Sequence, residues 1–155
     1  MQRLFLVRGL PGSGKSAVAR EVVGADGLCF SAKDYFDQEP KRVYSVRKMP
    51  HAHRDCLERT RAALAAGHTV AVANTFARRW EMEPYLLLSR ELGIPYVVID
   101  LYSAGFHDWQ LAQRDDRVHG AHIRAIRRNY ERDWWNGDPT VLPTKEFATP
   151  ALETP

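Results

Sequence analysis

The segment Gly9 to Ser16, GLPGSGKS, constrains this chain more than any other stretch. It follows the apolar run Leu4-Phe5-Leu6-Val7 and opens a segment, Ala17 to Val23, in which Val18, Val22 and Val23 recur at helical spacing. The pattern Gly-x-x-x-x-Gly-Lys-Ser puts glycines where backbone N–H groups must curl toward phosphate oxygens at the start of a helix. Gly12, Ser13 and Gly14 form the cradle, and Lys15 reaches the β- and γ-phosphates as a point charge. The Ser16 hydroxyl is placed to ligate Mg²⁺. ATP with Mg²⁺ is therefore the expected cofactor.

The rest of the chain alternates apolar runs with helical periodicity. Leu4 to Val7, Leu28 to Phe30, Thr69 to Ala73 and Tyr96 to Leu101 are short and apolar enough for buried parallel strands. Between them, helices are expected over Ala17 to Val23, from Ala52 to a stop at Gly67, and over Glu81 to Leu92. A short helix over His107 to Arg117 and a last one with a stripe of Ile123, Ile126 and Tyr130 follow, with Gly120 as an interruption and Trp134 to Gly137 as the stop. Residues 37–50 are polar, basic and bounded by prolines, so a loop or a short helical excursion is expected there. This order predicts an α/β fold of three layers, a mainly parallel sheet between helices, over residues 1–137. Residues 138–155, with four prolines and little periodicity, read as an extended tail.

With 155 residues and 45% hydrophobic composition the chain suits one domain with a real core. The net charge of +3 favours polyanionic partners weakly, but its distribution says more. Lys41, Arg42, Arg47, Lys48, Arg54, Arg59 and Arg61 crowd one region, and Arg124, Arg127, Arg128 and Arg132 another. Cys29 and Cys56 have neither metal-site nor disulfide spacing and read as small hydrophobes. No run is long enough to span a membrane and no signal peptide precedes the first strand, so a cytoplasmic protein without a membrane partner is expected. The sequence leaves the oligomeric state open.

A phosphate-binding loop in so short a chain suits a small kinase, whose catalysis is positioning and charge neutralisation. Asp34, in Ser31-Ala32-Lys33-Asp34-Tyr35-Phe36 after the second strand, is the acidic residue nearest a crevice-facing strand end. It is the candidate base or metal organiser, and the alternative is an aspartate that caps its own turn. Asp100, near the end of the fourth strand, is the reserve. Arg114 and Arg117 share a side at a spacing of three and could close over the phosphates as a lid. Arg47, Lys48, His51, His53 and Arg54 could track a phosphodiester backbone, while Tyr35, Phe36, Phe76 and Trp80 could stack a base. The histidines lack metal-ligand company and are open to solvated or substrate-facing roles.

GLPGSGKS, FSAKDYF, VANTF, WEMEPY and RDDRVHGAHI leading to IRRNYE, from about Arg3 to Glu131, together resemble the polynucleotide-kinase-like branch of the P-loop kinases. The resemblance implies a helix-sandwiched parallel sheet, ATP–Mg²⁺ held by Lys15 and Ser16, and a lid pair formed by Arg114 and Arg117. Two departures bear on the acceptor. Where 5′-kinases of this branch carry a pair of aspartates and then a phosphate-gripping arginine, this chain reads Lys33-Asp34 and Phe36, and the supporting acid after the third strand is Asn74. An aromatic in place of a phosphate clamp suits a base better than a 5′ terminus. The sequence is similar to phage-type kinases that phosphorylate the hydroxymethyl group of 5-hydroxymethyluracil in DNA, with Lys33, Tyr35, Phe36, Arg47, His53 and Asn74 on the substrate side. A 5′-hydroxyl polynucleotide kinase, a nucleoside or small-metabolite kinase and a non-catalytic ATP-binding adaptor are the alternatives, the last motivated by Lys33 and Asn74.

Overall fold

The computed structural model describes residues 1–38, 40–115 and 118–132. The elements run β1 (Leu4–Arg8), α1 (Lys15–Val23), β2 (Leu28–Phe30), α2 (Asp34–Asp37), a single 3₁₀ turn (Val46–Lys48), α3 (Met49–Ala65), β3 (Val70–Ala73), α4 (Arg79–Leu92), β4 (Tyr96–Asp100), α5 (Asp108–Arg114) and α6 (Gly120–Asn129). The four strands form one sheet in the order β2-β3-β1-β4, all pairs parallel. The expected three-layer α/β architecture is the one observed. The expected tail, 138–155, lies outside the described residues.

Strand alternation builds two cores from one short sequence. Leu4 and Leu6 of β1 with Val70 and Val72 of β3 face α3 and α4, against Cys56, Leu64, Met82, Leu86 and Leu88. Phe5 and Val7 with Ala71 and Ala73 face the other way, against Val18, Ala19 and Val22 of α1. The small alanines of β3 let α1 approach the sheet. Each fully buried leucine or valine contributes about 1.5–3 kcal/mol by leaving water. A third cluster, of Leu10, Leu111, Ile123 and Tyr130, fastens α5 and α6 to the loop after β1.

Several element boundaries depart from the sequence expectation, α1 starting at Lys15 and α4 at Arg79. The helix expected from Ala52 begins at Met49, because Pro50 occupies its first turn, where the missing N–H costs nothing. Gly120 opens α6 rather than interrupting the chain, and α6 ends at Asn129, with Tyr130 turned into the core; the expected stop at Trp134 to Gly137 lies outside the described residues. Cys29 is half-buried, whereas Cys56 is a buried hydrophobe as expected.

The sheet's carboxyl end is held by a residue that belongs to no apolar pattern. Arg8, at the end of β1, has a fully buried side chain. Its Nε and Nη2 donate to the Phe76 carbonyl at 3.0 and 2.8 Å, and Nη2 also donates to the carbonyl of Glu131 at 3.0 Å. Nη1 pairs with Asp100 Oδ2 at 2.8 Å, and the guanidinium lies 4.0 Å from the centre of the Tyr130 ring. The other Asp100 oxygen accepts from the Tyr130 hydroxyl at 2.7 Å and from the Tyr102 N–H at 3.0 Å. Phe76 adopts a left-handed backbone, φ 46°, unusual for an aromatic residue, and its carbonyl takes two of the Arg8 bonds. Asp100, the reserve site acid, is therefore committed to structure.

Removing one partner from such a network leaves the others buried and unpaired. Arg8→Met is expected to destabilise the protein by about 3–5 kcal/mol, measured as a shift in urea midpoint at constant slope. A loss under about 1 kcal/mol would mean that the network carries no stability.

Candidate active site

The loop between β1 and α1 sits at the carboxyl end of the sheet, beside the crevice between β1 and β3 where the strand order reverses. Gly12 and Gly14 have φ of 83° and 98°, the left-handed region that glycine enters without strain. A Cβ on Gly12 would stand 2.5 Å from the Leu111 carbonyl oxygen, so glycine is also what lets α5 rest directly on the loop. Lys15 is the first residue of α1 and is almost wholly buried. Its Nζ donates to the carbonyls of Gly9 and Leu10 at 3.0 and 3.1 Å. Burial lowers its pKa to about 7, the nearby Lys33 pushing the same way and Asp115 opposing. The ammonium is thus held where anionic oxygens would relieve its desolvation. Ser16 is exposed in the cleft above the loop, and the Ser13 hydroxyl is buried without a partner among the described residues.

Two cavities meet at Lys15. One, on the loop side, is lined by Gly12, Gly14, Ser16, Ser31 and Arg114. The other, of about 190 Å³, is lined by Tyr44, Val46, Met49, His53, Asn74, Thr75, Glu81, His122 and Ile126. Lys15, Lys33, Ala73 and Asp115 line both. Lys33 Nζ pairs with Asp115 Oδ2 at 2.7 Å, and Asp115 is buried. The shared wall therefore carries two ammonium groups and one carboxylate. Phosphoryl donor and acceptor could meet there.

The structure divides the expected site residues. Lys15, Lys33, Ser16, Asn74, His53 and Arg114 come together around the two cavities. Arg114 Nε donates to the Gly12 carbonyl at 2.6 Å, with its guanidinium 4.5 Å from the Phe106 ring centre, so it already rests on the phosphate loop. Asn74 Oδ1 accepts from the Ala32 N–H at 2.8 Å and ties the turn after β2 to β3. His53 is half-buried, and that burial lowers its pKa, favouring the neutral ring. Arg117 lies outside the described residues.

Other expected residues lie outside these two cavities. Asp34 lines neither cavity: its Oδ2 accepts from the Ser31 N–H at 2.9 Å and pairs with Arg59 at 3.3 Å, while Oδ1 faces the Ser31 hydroxyl at 3.2 Å. It caps its own turn, the alternative reading of this residue. Phe36 is 1% exposed and packs with Ala32 and Ala52, so it offers no face to a base. Tyr35 is covered by the Arg42 guanidinium at 4.1 Å and packs edge-on against Phe36. Phe76 is core. Trp80 lines a separate groove between α3 and α4 that also includes His53 and Glu81. Arg47 is exposed on the 3₁₀ turn beside the cavity mouth.

Sequence reasoning missed Asp115, Glu81, Tyr44, Val46 and His122. Asp115 adjoins Arg114, which was the available signal, but its partner Lys33 is 82 positions away. Burial raises the Glu81 pKa. Among the described residues no three His, Cys, Asp or Glu side chains form a metal-binding group, and no helix is long and apolar enough to cross a membrane.

A parallel sheet with this loop at its carboxyl end defines a P-loop kinase-like domain. The chain belongs to the AAA_33 family, described as an AAA domain, whose profile matches residues 4–132. It is 35% identical over 91 residues to human NEDD4-binding protein 2, a match spanning 57% of this chain and 5% of that much longer protein. Among solved structures it is similar to a protein of the Pnkp1/Rnl/Hen1 RNA repair complex, with a TM-score of 0.60 at 16% identity over 83% of this chain and 44% of that one. It is also similar to APE1195 (0.59, 16% identity, 94% and 86%) and to the Mycobacterium tuberculosis APS kinase CysC (0.54, 17% identity, 66% and 77%). CysC has also been solved with AMPPNP and APS. At these identities the structural likeness establishes the fold.

The contact between α5 and the loop gives a direct test. Gly12→Ala is expected to push α5 off the loop, weakening ATP binding by about tenfold or more and costing about 1–3 kcal/mol of stability. Unchanged ATP affinity in a calorimetric titration would show that α5 need not rest there.

Proposed function

We propose that the protein is an ATP-dependent kinase that transfers the γ-phosphoryl group to a hydroxyl on DNA, with the hydroxymethyl group of 5-hydroxymethyluracil as the preferred acceptor. The observation that carries this reading is the second cavity. It adjoins the phosphate loop, its wall is largely apolar through Tyr44, Val46, Met49 and Ile126, and Asn74, Thr75, His53 and Glu81 supply a few polar edges. The apolar part of that wall suits the faces of a flat heterocycle. Phe36 stands in the core at the position of the family's acceptor-phosphate clamp, so no guanidinium is there to grip a 5′-terminal nucleotide.

In this reading Lys15 and the loop N–H groups hold the β- and γ-phosphates, and Arg114 closes over them. Ser16 fits as a ligand for Mg²⁺ arriving with the nucleotide, since its hydroxyl is exposed beside Lys15. When bound, the ion neutralises phosphate charge. Asp115, steadied by Lys33, takes the proton from the acceptor hydroxyl. The acceptor oxygen forms a bond to the γ-phosphorus, the bond from that phosphorus to the β–γ bridging oxygen breaks, and ADP leaves with the electron pair. Asp34 holds the turn that presents Lys33.

A 5′-hydroxyl polynucleotide kinase is the second reading, favoured by the exposed Arg47, Lys48 and Arg54 near the cavity and by the likeness to the Pnkp1 complex. A labelled γ-phosphate offered to DNA with either a free 5′-hydroxyl or an internal hydroxymethyl base separates the two by where the label lands. Label at 5′ ends alone would reverse the preference. ATP binding without transfer to any acceptor would favour the adaptor.

Two substitutions test the base. Asp115→Asn is expected to lower kcat at least about a hundredfold with ATP affinity retained, the scale of lost general-base catalysis. Asp34→Asn is expected to lower stability more than turnover. The opposite ranking would return the base to Asp34.

A further inference from the structure

Residues 40–48, PKRVYSVRK, contain four basic residues and no acid. Val43 is 84% exposed and Val46 66%, the largest exposures of aliphatic side chains after Met1 among the described residues. Neither valine is on a floppy arm. On one side of Val43, the Arg42 N–H donates to the Phe36 carbonyl at 3.1 Å and its Nη1 to the Tyr35 carbonyl at 2.7 Å, with the guanidinium stacked on Tyr35. On the other side the Tyr44 ring packs on Phe36, 5.1 Å between centres. Val43 is thus held out in water between two anchors, and Tyr44 and Val46 carry the apolar edge into the acceptor cavity.

Resting on the reading that the acceptor is a base in DNA, we propose that this loop is a wedge that enters duplex DNA, with Val43 displacing the stack while the target base swings into the cavity beside Lys33 and Asp115. A base inside a duplex cannot bring its substituent to a recessed phosphate, so an enzyme acting on it must extrude it, at a cost of a few kcal/mol per opened step. Proteins that open a step insert an apolar side chain and surround it with cations for the flanking phosphates. Lys41, Arg47 and Lys48, all exposed, supply those cations around the two valines. The charge complementarity and the continuity with the cavity are what name the partner as duplex DNA.

The test uses the full chain and a duplex with 2-aminopurine next to a hydroxymethyluracil. Binding of the wild type is expected to raise the 2-aminopurine fluorescence severalfold, as an unstacked probe does, and Val43→Ser to lose most of that rise. In parallel, the ratio of transfer on duplex to transfer on single strand is expected to fall at least about tenfold in Val43→Ser and to be kept in Val43→Leu. The exposure of Val43 makes both variants compatible with the fold. No rise with the wild type, an equal rise with Val43→Ser, or preference for phosphatidylserine vesicles over duplex would overturn the wedge. A rise that Val43→Ser abolishes supports it even where no phosphate is transferred, an outcome that would sink the acceptor reading alone.

Discussion

A buried guanidinium holds this fold together at the point where its chemistry is built. Arg8 bridges the residues that follow β3, the end of β4 and the chain after α6, three segments that the sequence places far apart. Desolvating a guanidinium is costly, and the cost is offset because the described contacts include three carbonyl oxygens, a carboxylate and an aromatic face. The phosphate loop starts at the next residue, Gly9. Its floor is therefore fixed from below by Arg8 and roofed by α5.

That rigidity explains the electrostatics above it. Lys15 is buried with its ammonium already on two loop carbonyls, so the loop is preorganised for anions rather than folded by them. Lys33 and Asp115 face it across the wall shared by the cavities. Lys33, after β2, is paired with the Asp115 carboxylate on the opposite side of the cleft.

The architecture was legible because strands buried on both faces must be continuously apolar, and the four runs chosen on that ground are the four strands observed. The phosphate loop was legible because its glycines answer a local backbone demand, seen at Gly12 and Gly14. The acceptor side was not. Asp34 looks catalytic by position along the chain, but its nearest donors are its own turn and Arg59. Phe36 looks like a stacking platform until α3 covers it. Asp115 and Arg8 act through partners 82 and 92 positions away, and no periodicity encodes such pairings.

The central claim is that Lys15 and the loop around it grip the terminal phosphates of a nucleoside triphosphate. Titration of a non-hydrolysable ATP analogue with Mg²⁺ into the full chain, followed by calorimetry, addresses it directly. One-to-one binding that weakens at least about tenfold in Lys15→Ala, with the melting temperature of the free protein preserved, is the predicted result. Absence of binding by the wild type, or equal affinity in Lys15→Ala, would contradict the account.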